Sequence, residues 1–460
     1  MKKTNTPDLN DDVLDWDDIV NNQPNQDDTL QTIYEEPSIQ SEIEDFSSNQ
    51  KNDFVAKEKS KRKKKSLKKR LVTIGITLAL LTGMYLTVVF SNIPFIEKWR
   101  TIYIETAMTT TSHKWLATLF FPQSVIDEVM ARRQKNLEAQ KKVESTWEDE
   151  DVIEVQEDNS EDEFYKKYWE LDTYNFRHFL EGRPYLTQNG YDHILIEDME
   201  GDLDLKTKQN DKILVLDTAN NLMILEIKGE GYKGKMAIVK EPNQVDLVKS
   251  KFIGSSGQEA GSFGQDYDAL LVVNASGFVD VGGVGSGGQV KGSMIIDGVE
   301  YGSPDHKYGW KFIGLQNNNR MYVRDYPADS VSDYRWGVEF LPALIVDGVS
   351  VVDGTFGMGM QPRTAIGQAK DGSILLLIID GRQVGHSIGA TMQDLSAILM
   401  RYQAYQAMNV DGGSSSIMWY KGNYVTRSSS VTGIGRYMPD ALIVKRAEDE
   451  VVINATPQNE

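Results

Sequence analysis

The alternation of apolar and polar positions divides the chain into stretches of different character. Residues 1–56 carry many acids (Asp8, Asp11, Asp12, Asp15, Asp17, Asp18, Glu35, Glu36) and few aliphatics. Such a segment buries too little apolar surface to offset chain entropy and is expected to be disordered. Residues 71–90, LVTIGITLALLTGMYLTVVF, hold no charge. About 20 residues at a rise of about 1.5 Å span about 30 Å, the hydrocarbon thickness of a bilayer. A core helix of that length would show a polar stripe, and this one does not. Residues 100–121 are amphipathic with aromatic anchors (Tyr103, Trp115, Phe120, Phe121), suited to the membrane surface or to packing on a later domain. Residues 125–143 read as a charged helix, 144–163 as a solvated acidic spacer, and 164–179 as a short helix with an aromatic face.

From about residue 185, short apolar runs alternate with Gly, Asn and Asp turns, as in KILVLDTANNLMILEI and DALLVVNASGF. This pattern predicts short strands. One helix is well marked. Thr391 and Asp394 form a capping-box pattern with Asp in place of Glu. Met392, Leu395, Ile398, Leu399, Tyr402 and Tyr405 then recur at helical spacing. The helix lies between two apolar runs, SILLLIID and AMNV. A strand–helix–strand crossover sets its two strands parallel. Asp380 and Asp411, each after the carboxyl end of one strand, are therefore predicted on one edge of the sheet, roughly 5–10 Å apart. That edge is where open sheets of this kind bind ligands. The fold class is α/β in the mixed α+β sense. A mixed sheet with flanking helices forms one large outer domain, preceded by a single transmembrane helix and a disordered N-terminal tail.

Charge changes the picture at the membrane. The 460 residues include 49 Lys+Arg and 68 Asp+Glu, for a net charge of -19. This balance argues against non-specific nucleic-acid binding. Residues 57–70, KEKSKRKKKSLKKR, reverse the sign locally. A basic block on the N-terminal side of the span places residues 1–70 in the cytoplasm and the rest outside, and it suits anionic lipid headgroups. A cleavable signal peptide is the competing reading. The roughly 70 residues ahead of the span, its length, and the lack of an A-x-A site disfavour it. The expected divisions are a disordered acidic cytoplasmic tail (1–56), a polybasic segment (57–70), a transmembrane helix (71–92), a helical stalk with an acidic spacer (93–184), the main domain (185–447) and a flexible tail (448–460). With Cys 0 and His 5, disulfides, thiolate metal sites and a Cys nucleophile are excluded and a multi-His metal site is disfavoured.

The candidate chemistry lies between residues 373 and 419, with Arg363 ahead of it in QPRTAIG. Two carboxylates on one edge, Asp380 and Asp411, suit glycoside hydrolysis. Arg363 and Arg382 can each grip a phosphate through paired charge-assisted bonds. Gly412, Gly413 and Ser414 allow a concave run of backbone N–H groups that binds anions. Together they suggest a sugar substrate that carries a phosphate. Each part has a plainer reading: Asp-Gly after a strand is usually a turn, DGGSSS suits a flexible loop, and the arginines suit structural ion pairs. A serine hydrolase built on Ser414–Ser416 and His386 lacks a G-x-S-x-G elbow, and His386 reads as a loop or site-wall residue.

The run PRTAIGQAKDGSILLLIIDGR, followed at helix length by MNVDGGSSSIMWYKG, resembles the phosphodiester glycosidase family over residues 270–444. Arg363, Thr364, Asp380, Gly381, Arg382, Asn409, Asp411, Gly412, Gly413 and Ser415 match its pattern. Asn274 matches in part: Ala275-Ser276 stand where paired glycines are usual, and Ser414 where a third glycine is usual. The resemblance implies hydrolysis between a sugar's anomeric carbon and a phosphodiester oxygen. It implies Asp380 and Asp411 as base or nucleophile, phosphate held by Arg363, Arg382 and the Gly412 and Gly413 amides, and sugar hydroxyls bound by Asn274. Thr364, Asn409, Ser414 and Ser415 complete the binding set. The scheme requires no metal or other cofactor, although an Asp-rich loop leaves Ca²⁺ open. The implied partner is a phosphate-containing cell-surface glycan such as a teichoic acid, capsule or exopolysaccharide. A non-catalytic sugar-phosphate-binding protein of polymer assembly is the alternative, and a polymer-ligating phosphotransferase ranks last.

Overall fold

The computed structural model describes residues 39–110, 113–147, 161–281, 284–304, 309–447 and 453–454, with side chains from residue 54 and not at 453–454. The chain separates into two units, 1–83 and 84–460. Helix α1 (Ile39–Phe90) begins in the first and ends in the second, and its part Phe54–Phe90 is the one helix among the described residues long and apolar enough to cross a membrane. The expected disordered tail lies outside the described residues up to position 38. Its remainder, 39–56, is helical, because the helix runs unbroken into the basic block.

The second unit continues with α2 (Pro94–Thr109), α3 (Lys114–Phe120), α4 (Gln123–Gln140), α5 (Glu161–Lys167) and α6 (Thr173–Glu181). An antiparallel meander follows: β1 (Ile194–Glu197), β2 (Lys212–Asp217), β3 (Leu222–Gly229) and β4 (Tyr232–Val239). Then come β5 (Val245–Lys249), α7 (Ala260–Asp266), β6 (Leu271–Asn274), β7 (Ser293–Ile296), β8 (Val299–Gly302), β9 (Lys311–Gln316), β10 (Met321–Arg324), β11 (Tyr334–Phe340), β12 (Ala343–Val346) and β13 (Val349–Ser350). The last part holds β14 (Arg363–Ala369), β15 (Ile374–Ile379), α8 (Met392–Arg401), β16 (Ala404–Asn409), β17 (Met418–Tyr420), β18 (Asn423–Tyr424), β19 (Asp440–Val444) and β20 (Ile453–Asn454).

These strands build a 10-stranded sheet, ordered β13-β12-β16-β14-β15-β4-β3-β2-β1-β20, and two 5-stranded sheets, β10-β9-β11-β7-β8 and β18-β17-β6-β19-β5. The large sheet is the middle layer. Alternate residues of β15 serve its two faces, as a period of two requires. Leu375, Leu377 and Ile379 pack with Phe164, Phe176, Leu395 and Ile398 on the helical side. Ile374, Leu376 and Ile378 pack with Leu271, Val338 and Leu442 on the side of the smaller sheets. Each fully buried Leu or Ile contributes about 1.5–3 kcal/mol, so this strand, buried at every position, is a main source of stability.

The capping box at α8 is present, with the Thr391 hydroxyl accepting from the Asp394 amide and Asp394 accepting from the Thr391 amide. The helix is shorter than its apolar spacing predicts. Gln403 takes a left-handed φ of 57°, and Tyr405 belongs to β16. The crossover does set β15 and β16 parallel, although β14 runs between them, antiparallel to both. Register pairs Arg363 with Ile379 and Ala365 with Asn409. Asp380 and Asp411 therefore leave the sheet on one edge, their backbones separated by about two strand spacings, or about 10 Å.

Candidate active site

Asp380 is 6% exposed and is fixed by two donors. The Arg427 amide donates to Oδ1 at 2.9 Å, and His386 Nε2 lies 2.8 Å from Oδ2. His386 sits in the loop that follows β15, closed by reciprocal bonds between Gln383 and Ser387. Lys235 of β4 faces the same carboxylate; burial lowers its pKa and Asp380 opposes that shift.

Asp411 is half-buried. Desolvation pushes its carboxyl up to about 7, against the Ser415 hydroxyl, the Gly412 amide and the charge of Arg436. Arg436 is itself forked onto Asp280 at 3.2 and 3.0 Å. Arg382, at φ 59°, places its guanidinium over Gly413: a Cβ at that glycine would lie 3.2 Å from Nη2. Arg382 Nη2 donates to Gln361 Oε1. Burial lowers the Arg382 pKa, and Asp411 opposes it.

Arg363 points to the helical side of β14. Nε donates to Ala390 O at 3.3 Å, and Nη2 donates to Met358 O at 2.9 Å and Gly359 O at 3.1 Å. Burial, then the charges of Arg382 and Arg133, push its pKa down to about 9. Arg363 is 5% exposed, and like charges held together out of water are a cost that a bound anion would relieve.

Several residues expected to bind substrate are placed otherwise. Asn274 is 1% exposed. Its Nδ2 donates to Asp411 O at 2.7 Å, and its Oδ1 accepts from Thr364 Oγ1 at 2.8 Å and the Ile417 amide at 3.1 Å. It pins the Asp411 turn to β6, and its amide is turned to protein, not to a sugar. Thr364 is buried, and its hydroxyl oxygen also lies 3.2 Å from Ser416 Oγ, from which it accepts. Asn409 is buried, its Nδ2 donating to Leu341 O. The glycine cradle is closed in the same way. The Gly413 amide donates to Pro362 O, and the Ser415 and Ser416 amides donate to Gly412 O and Gly413 O. The Gly412 amide and the Ser415 hydroxyl serve the Asp411 carboxylate, and Ser414 O accepts from Ser428 Oγ. The arrangement thus brings Asp380, Asp411, Arg363 and Arg382 to one edge, with Asn274, Thr364, Asn409 and the glycine turn holding them.

Sequence reasoning missed His386 as a carboxylate partner, although it lies six positions after Asp380. It also missed Gln361, Lys235 and the Asp280–Arg436 pair. The last two residues lie 156 positions apart, and no local pattern joins them.

Residues 267–445 match the model of the phosphodiester glycosidase family. This segment carries both carboxylates and both arginines and is similar to that family of glycosidase-type hydrolases. A curated relative, the SPbeta prophage-derived uncharacterized protein YomE of Bacillus subtilis (strain 168), is 25% identical over 235 residues, 47% of this chain and 35% of that protein. The chain thus spans about a third of the length of that relative. Among solved structures, it is similar to the catalytic domain of zebrafish N-acetylglucosamine-1-phosphodiester alpha-N-acetylglucosaminidase, auto-inhibited by its pro-peptide. That match has a TM-score of 0.41 and 17% identity, covering 49% of this chain and 83% of that one. A hypothetical protein from Synechocystis follows at a TM-score of 0.37 and 13% identity, covering 51% and 63%.

Proposed function

We propose that this protein is a membrane-anchored hydrolase that cleaves the bond between a sugar's anomeric carbon and a phosphodiester oxygen in cell-surface glycans. The supporting observation is one edge of the large sheet on which Asp411, with a carboxyl raised to about 7, lies between Arg382 and Ser415, and Asp380 is fixed by His386. Water attacks the anomeric carbon and gives a proton to Asp380, oriented by His386 and the Arg427 amide. The bond from the anomeric carbon to the phosphate oxygen breaks. Asp411 in its acid form gives a proton to the departing oxygen, and Arg382 and Arg363 stabilise the phosphate charge. The net change is addition of one water, giving a free sugar end and a phosphomonoester. The basic block ahead of the span supports an orientation with the domain outside the cell.

The test incubates the purified full chain in detergent with a sugar-1-phosphodiester and follows phosphomonoester and reducing sugar together. Both should appear in equal amounts. Asp380→Asn and Asp411→Asn should each lower turnover by about 10²–10⁴-fold, the usual contribution of a positioned proton-transfer group. Binding without release would replace this reading with a role in polymer assembly.

A further inference from the structure

The helices between the apolar span and the sheets pack behind the arginine pair. α2 lies along the loop that leads into β14. The Met360 amide donates to Thr106 Oγ1 at 3.0 Å. Gln361 Nε2 donates to Thr109 Oγ1 at 2.7 Å and to Thr106 O at 3.3 Å. The other end of the same amide, Oε1, accepts from Arg382 Nη2. One side chain therefore ties α2 to the guanidinium beside Asp411.

Two glycines let the helices come this close. Gly357 and Gly359 have φ of 73° and 59°. A Cβ at Gly357 would meet Arg133 Cβ of α4 at 2.4 Å, and one at Gly359 would meet Thr106 Oγ1 at 2.3 Å. Arg133 is half-buried and near enough to Arg363 for its charge to act there. Its acidic neighbour is Glu105, 1% exposed, whose pKa burial raises and which bonds Thr355 and the Gly359 backbone. Three guanidiniums, from Arg133, Arg363 and Arg382, thus converge from two parts of the chain. The carboxyls facing them are Glu105 on α2 and Asp411 on the sheet edge, both with pKa values raised chiefly by burial. This excess of positive charge matches a phosphate monoester dianion better than a singly charged diester, so it favours the charge that develops as the phosphate departs.

We propose that helices α2 and α4 form the rear wall of the anion site, with Arg133 adding positive charge behind Arg363, and Thr106 and Thr109 positioning Arg382 through Gln361. This rests on the phosphate-binding reading above. The membrane-proximal helices are then part of the site, and the sheets alone hold it incompletely.

The test measures inorganic phosphate binding to the full chain in detergent by calorimetry, beside the KM and kcat for a sugar-1-phosphodiester and the Tm. Arg133→Met keeps the contact at Gly357 and removes the charge. It should weaken phosphate binding by about tenfold to a few hundredfold, the effect of a unit charge about 10 Å from an anion of one to two charges at an effective dielectric of about 20. Arg133→Lys should restore binding to within about twofold. The double variant T106V/T109V should weaken phosphate binding and lower kcat, with Tm lower by several degrees because the Met360 amide loses its acceptor. Phosphate binding by Arg133→Met and T106V/T109V equal to that of the unaltered chain would overturn the inference and leave the function standing. No phosphate binding by the unaltered chain would overturn the phosphate reading, and this inference with it. If Arg133→Met does not fold, the double variant decides.

Discussion

Asn274→Ala separates two roles for one side chain. A residue that reaches for sugar would affect KM and spare stability. A residue that pins the Asp411 turn would do the reverse. Truncation removes the acceptor of the Ile417 amide and the donor to Asp411 O, both in a site that is 1% exposed. The Thr364 hydroxyl keeps a second partner in Ser416 Oγ at 3.2 Å, so it adds little. Each buried backbone group left unpaired costs about 1–3 kcal/mol, which gives a loss of about 4 kcal/mol. A domain of about 250 residues loses about 2–4 °C in Tm per kcal/mol, so the melting point should fall by about 8–16 °C. Calorimetry and urea unfolding of the full chain measure this. Asn274→Asp keeps the acceptor oxygen but loses the donor to Asp411 O, and it should also be destabilised. A Tm within about 2 °C of the unaltered protein, with KM raised severalfold, would refute the reasoning and return Asn274 to substrate binding.

With Asp411 as proton donor, its acid form is lost as pH rises through about 7, so kcat should fall across that pH. The limb should vanish from the residual rate of Asp411→Asn, and a limb rising through about 7 would make Asp411 the base. Stability should follow the same carboxyl with Asp440, which burial raises to about 6. Unfolded carboxyls of this kind ionise near 3.8, so the native state holds the extra protons between about 4 and 7. Stability should therefore fall as pH rises through that window and level off above it. Urea midpoints against pH check the sign, and Asp440→Asn should flatten the lower part. Gly413→Ala meets a φ of 65° and a Cβ only 3.2 Å from Arg382 Nη2. It should lose about 1–2 kcal/mol from left-handed strain and bind inorganic phosphate more weakly, as read by calorimetry.

What the sequence makes legible here is local. The apolar run of residues 71–90, the Thr391–Asp394 box and the fully apolar β15 each encode their structure within a few positions, and the first two are seen as such. The shared edge for Asp380 and Asp411 follows from the parallel strands of a crossover alone, even with β14 between them. The roles within the site are less legible, because motif residues look alike whether they touch substrate or hold the backbone. Asn274, Thr364 and Asn409 match a pattern, yet all three are turned into protein contacts. The glycine turn resembles an anion nest until the Gly413 amide is traced to Pro362 O and the Gly412 amide to the Asp411 carboxylate. Contacts such as Thr109 with Gln361, 252 positions apart, leave no periodic trace at all.

β14 acts as a ruler between two chemistries. Arg363 faces the helical layer through Met358 and Gly359, and Thr364, one position on, faces Asn274. A single residue gained or lost in the lead-in at 354–362 would invert that order if the strand slid to compensate. It would send a guanidinium into the polar pin beneath Asp411 and a hydroxyl toward the arginine wall. Length variation among relatives with this chemistry should therefore gather at the hairpin turn around Gly372, where an added Cβ meets nothing within 4 Å, and leave that lead-in at constant length.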